Sequence, residues 1–155
     1  MRRALQVIAV VLATVGLVTG CSHRPREVVK VTQYNQGKGV PLYVSADAAK
    51  LTGAPKDFQK FMAARVRSAI EFDDGSCSEP PVYMVKAVAD SGHAAGQLSQ
   101  CGVRNIIWAR TSGKWKQIWS GDAEPPCQTL KQYRVPPGIA GTSCREGGDT
   151  KLYRG

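Results

Sequence analysis

Five cysteines, at positions 21, 77, 101, 127 and 144, constrain this chain more than any other feature. The last four are separated by 24, 26 and 17 residues, so they offer none of the close Cys-x-x-Cys pairs that a zinc site favours. An even set of well-spaced cysteines in an exported domain reads instead as two disulfides. Four cysteines allow three pairings. The pairing Cys77–Cys101 with Cys127–Cys144 is favoured because each bridge joins chain neighbours around one local unit. Cys21 is then left over, and its surroundings decide what it is for.

The first residues, Met1-Arg2-Arg3, lead into an almost unbroken apolar run from Ala4 to Val18, then Thr19 and Gly20. A cationic start, an apolar middle and small residues at the end make a secretory signal. The run falls short of the roughly 20 apolar residues of a membrane span. At its end the order Val18-Thr19-Gly20-Cys21 resembles the lipobox of bacterial lipoproteins. The resemblance covers the first 21 residues only and implies that the Cys21 thiol carries a diacylglyceryl group, that the Gly20–Cys21 bond is cut and that Cys21 opens the mature chain. It further implies lipid attachment on the outer face of the cytoplasmic membrane, durable because two or more acyl chains anchor where one does not.

Three regions follow: a signal peptide over 1–20, a lipidated N-terminus and basic tether over 21–39, and a small globular domain over 40–155. Without Arg2 and Arg3 the chain keeps 19 Lys+Arg against 12 Asp+Glu, a formal +7. Net charge speaks to partners rather than to fold. No basic helix, stacking series of aromatics or nucleic-acid motif accompanies it. The expected anions are therefore phospholipid head groups and cell-wall polymers, together with envelope proteins, and not nucleic acid. In the tether, His23, Arg24, Arg26 and Lys30 place positive charge beside the membrane, and "VVKVTQY" suits a peripheral strand. "NQGKG" lacks the remaining positions of a P-loop and reads as a turn.

The domain reads as α+β. Ser45, Asp47 and Gly53 mark a short helix by cap, first turn and stop. The main helix is expected in "APKDFQKFMAARVRSAIEF", where Phe58, Phe61, Met62, Val66, Ala69 and Ile70 recur at helical spacing opposite Lys60, Arg65 and Arg67. It should pack on an antiparallel sheet of about four strands. Val82 to Val88 reads as a strand, Asp90-Ser91-Gly92 as a turn and "HAAGQLS" as the returning strand. "VRNIIWAR" and "KWKQIWSG" form the clearest hairpin. A two-residue turn at Ser112-Gly113 puts Ile106, Trp108, Trp115 and Trp119 on one face, towards the helix. The opposite face, with Ile107, Ala109 and Ile118, is then a candidate partner surface. A short helix from about Pro125 to Tyr133 carries Cys127, and "REGGDTKLYRG" reads as a frayed end. The arrangement "GKWKQIWSGDAEPPC…VPPGIAGTSC" is similar to the C-terminal half of small secreted or lipid-anchored actinobacterial proteins; that likeness supports the order hairpin, helix, disulfide and supplies no catalytic residue.

Residues able to carry chemistry are few. Asp90, Ser91 and His93 share one turn, but no nucleophile-elbow pattern surrounds the serine, and His93 reads as a solvent-exposed turn residue. Glu71, Asp73, Asp74 and Glu79 form an acidic cluster that suggests a glycan-cleaving acid and base or a calcium site, yet it lacks EF-hand spacing and sits where solvated acids are common. The tryptophans suggest a sugar-stacking platform or, more simply, core. No cofactor or metal motif is present. The sequence therefore points to a non-enzymatic binding or accessory protein of the envelope, with a wall hydrolase using the acidic cluster as the rival.

Overall fold

The computed structural model describes residues 28–155. The apolar leader, Cys21 and the cations His23, Arg24 and Arg26 lie outside the described residues. Among those described, no helix is long and apolar enough to cross a membrane.

The order of elements is β1 (Val31–Gln33), β2 (Val40–Leu42), α1 (Lys56–Glu71), β3 (Val82–Ala89), β4 (His93–Ser99), β5 (Val103–Thr111), β6 (Lys114–Gly121), α2 (Cys127–Gln132), α3 (Pro137–Ala140), β7 (Ser143–Glu146) and β8 (Asp149–Leu152). Helix and antiparallel sheet mix as expected, but the main sheet has six strands rather than about four. The surplus comes from the N-terminal stretch: β1 and β2 both pair antiparallel with β3, side by side along its length. Tyr34, between them, is buried in the core. The packed domain thus reaches back into the segment read as tether, because alternating Val and Thr residues there offered an open sheet edge a partner.

Helix α1 begins just after Pro55, and its Asp57 carboxylate accepts the Phe58 amide at 2.9 Å, the sign of charge a helix start prefers. Phe58, Met62 and Val66 are its fully buried stripe. Burying three such side chains contributes about 5–9 kcal/mol before entropy is counted. They meet Tyr83, Val85, Val88, Ala94, Ile106, Trp108 and Trp115 on one face of the sheet. The Phe58 ring lies 4.5 Å from that of Trp115 and 6.1 Å from that of Trp108, the latter edge-on. Trp108 fits because Gly96 has no side chain: a Cβ there would come within 2.9 Å of the indole and overlap the Met84 carbonyl oxygen.

The hairpin turns at Ser112-Gly113, with Thr111 opposite Lys114 and both turn residues at positive φ. Trp119, however, leaves the helix-facing set. A bulge shifts the register so that Trp119 faces Ile107 while Gln117 faces Trp108. One extra residue, Ile118, reverses the alternation beyond it.

Ile107 and Ala109, expected as a partner surface, are 4% and 1% exposed, and Ile118 is half-buried. Around Ile107 a second core forms from Ala87, Ala89, Leu130, Val135, Ile139, Tyr153 and the Cys127–Cys144 bridge, with Ile118 packed against it. Small residues at 87, 89 and 95 keep this face shallow, so the C-terminal segment lies close on it. The tail is not frayed. β7 and β8 pair across Gly147-Gly148, both at positive φ, a two-residue turn that those glycines favour. The buried Tyr153 hydroxyl donates to the Val135 carbonyl at 2.6 Å.

The bridges join Cys77 to Cys101 and Cys127 to Cys144, with Cα atoms 5.2 and 4.9 Å apart. Converting Cys127 and Cys144 together to serine is expected to cost about 3 kcal/mol of unfolding free energy in urea titration. Gly96→Ala should cost about 1–3 kcal/mol in the same measurement, by overpacking against Trp108.

Candidate functional site

The C-terminal segment covers the second face of the sheet incompletely. Beyond α3, between the sheet and the crossing segment from Asp122 to Pro125, lies a cleft of about 430 Å³. That is within the range of small-molecule sites, about 300–1,000 Å³. Its floor is Lys86, Ala95, Asn105, Ile107 and Trp119; Glu124, Ile139 and Ser143 stand on its walls.

Two of the floor residues are placed by the sheet's irregularities. Lys86 occupies the bulge between Val85 and Ala87 in β3, and Trp119 arrives through the bulge of β6. Asn105 is held by the Gln97 side chain, whose amide donates to it at 2.9 Å, leaving the Asn105 amino group for another partner. Lys86 is half-exposed and makes no ion pair with a described carboxylate. Glu124 is engaged, 3.6 Å from Arg145. One cation, one indole and one amide therefore share the cleft with the carboxylates of Asp122 and Glu124, an arrangement suited to holding a small polar ligand.

Of the sequence-marked residues, Ile107 and Trp119 line the cleft; the others lie elsewhere. Cys77 and Cys101 close the loop after α1. Asp73 there accepts the Gly75 amide and the Gln100 side chain, each at 3.2 Å. Asp74 accepts the Ser76 amide at 2.9 Å, and hydrogen bonds from Ser76 hold its carboxyl below the usual range. Both are tied into the loop's own turn. A glycosidase general acid needs the opposite shift. Among the described residues, no three Asp, Glu, His or Cys side chains converge as a metal ligand set.

His93 departs from its expected exposure: it is 9% exposed, on the second face of β4. Its Nε2 donates to the Tyr133 carbonyl at 2.8 Å, which leaves Nδ1 to accept from the Ser91 hydroxyl at 3.0 Å. Ser91 and His93 do meet, but Asp90 turns away and accepts the Lys30 amide at 3.1 Å. The neighbouring Gly92 amide, the obvious oxyanion donor, is taken by the Ala89 carbonyl at 3.1 Å. The arrangement pins the end of α2 to the sheet.

Missing from the sequence reading were Lys86, Asn105, Glu124 and Ser143. One signal was visible: a lone lysine in the middle of the otherwise apolar strand "VYMVKAVA".

Burial lowers the His93 pKa, opposed in part by the bond to Tyr133. The unfolded chain gains a proton as pH falls through about 6.5 while the native imidazole resists it, so this stability is complete above that pH and declines as pH drops towards the native pKa. Urea midpoints should therefore fall between about pH 7.5 and 5.5. His93→Gln should lower the midpoint at both and flatten the difference.

Comparison of the chain with family models, with curated proteins and with solved structures finds no match.

Proposed function

We propose that this chain is a bacterial envelope lipoprotein, exported by its apolar leader, acylated at Cys21 and held on the outer face of the cytoplasmic membrane, whose domain binds without catalysing. The cleft carries the functional half of this reading: an unpaired Lys86, the Trp119 indole and the Asn105 amide meet there. Two disulfides fit an oxidising compartment, and the "VTGC" ending of the leader fits acylation. The ligand class is a small hydroxylated molecule or the polar end group of a wall polymer, since Lys86, Asn105 and Asp122 offer it donors and an acceptor. Hydrolysis by Glu71, Asp73, Asp74 and Glu79 is the weaker reading, since Asp73 and Asp74 are spent on their own loop.

Trp108 and Trp115 are buried on the other face, so a change in tryptophan emission on ligand addition reports Trp119. Titration with a panel of soluble wall fragments should give saturable quenching, weakened about tenfold or more by Lys86→Ala. No quenching by any fragment, or turnover of one, would remove the binding reading. Mass spectrometry of the membrane-extracted protein should show a chain beginning at Cys21 with an added diacylglyceryl mass.

A further inference from the structure

Strand register sorts the charged residues to opposite ends of the sheet. The Asp90–Gly92 turn, the Ser112-Gly113 turn and the start of β1 share one end, because Ala89 pairs with both Val31 and His93, and His93 with Ala109. The start of α1 lies there too, since Arg110 reaches Asp57 at 3.1 Å. So does the end of α2, through the bond from His93 to Tyr133. This end carries the exposed cations Lys30, Lys56, Arg110, Lys114, Lys116 and Arg134. Asp57 and Asp90 offset them only in part, the first paired to Arg110 and the second accepting the Lys30 amide.

The other end carries Glu71, Asp73, Asp74 and Glu79 around the end of α1, and Asp122 after β6, with Arg104 beside them. The eight residues of β3 separate the ends by roughly 23 Å. That is nearly three Debye lengths at physiological salt, so a charged surface meeting one end senses the other only weakly.

We infer that the cationic end is a docking face for an anionic phospholipid bilayer, holding the strands upright with the acidic end outward. Two observations choose this occupant. Charge is complementary, and the chain enters the fold at the same end: Val28 is 91% exposed just before Lys30 and β1. The inference rests on the attachment at Cys21 proposed above. From Cys21 to Val28 the chain reaches at most about 25 Å. A leash of that length, leaving from the cationic end, brings that end to the surface first. The exposed side chains Phe72, Tyr43 and Val103 at or near the acidic end are then presented away from the membrane.

The test is hydrogen exchange on the acylated protein, extracted from membranes and reconstituted in phosphatidylcholine vesicles with or without phosphatidylglycerol. Phosphatidylglycerol should protect amides at 90–92 and 110–114 and leave 72–79 unchanged. High salt should erase the protection, and Lys56→Glu with Lys114→Glu should reduce it at least tenfold, on the basis of about fivefold per cation. Both sites are exposed, and a glutamate in the first turn of α1 favours the helix, so the variant folds. Equal exchange in both vesicle types would overturn the inference while leaving the anchor intact. Protection at 72–79 instead, or protection by a soluble anionic wall polymer but not by phosphatidylglycerol, would overturn it equally. Absence of an acyl group from the extracted protein would remove the anchor itself, a separate failure read by mass before exchange begins.

Discussion

A sheet that is apolar on both faces has to be covered twice, and the rest of this domain follows from that constraint. On one face Phe58, Met62 and Val66 of α1 close over Trp108 and Trp115. On the other, α2, α3 and the tail close over Ala87, Ala89 and Ile107. The two coverings differ in kind. The first is a long helix with a continuous stripe, able to supply much of its own burial. The second consists of two very short helices and a hairpin, pieces too small to hold a fixed place by propensity alone. The Cys127–Cys144 bridge, the Tyr153 hydroxyl and the His93 contact to Tyr133 keep it in place.

The cleft is a by-product of the weaker covering. A full-length helix would have sealed the second face; the short cap stops at Ala140 and leaves Lys86, Asn105 and Trp119 at its margin. Both bulges open towards that margin. A bulge aims one side chain against the alternation of its strand, which is how a lysine and a tryptophan come to share a floor with Ala95, Asn105 and Ile107. The close packing of the cap and the cleft beside it thus follow from the same irregularity, and the lowered pKa of His93 makes the stability of that packing depend on pH.

Electrostatics adds an orientation to this architecture. Because α1 runs from the cationic end to the acidic one and β1 enters at the cationic end, the direction in which the chain is threaded also sets the direction in which charge is displayed. A chain threaded the other way through the same sheet would carry acid at the end where β1 enters.

The main helix, the hairpin turn and the disulfide partners were legible in the chain, since each depends on neighbours along it: the i, i+4 spacing from Phe58 to Met62 to Val66, the Ser112-Gly113 pair, and cysteines around one local unit. The Gly147-Gly148 turn was equally local and went unread because the surrounding residues are polar; the anchor for that tail, Tyr153, finds its acceptors 18 and 23 residues back. Only the tertiary structure decided which face Trp119 takes, that Ile107 and Ala109 are buried, that His93 is enclosed, and that Lys86 and Asn105 line one cleft. Each of these depends on a one-residue slip in register or on a covering segment distant in sequence. A period-two pattern states that two faces exist, but it carries no information on which residue a bulge omits or what will lie across the face.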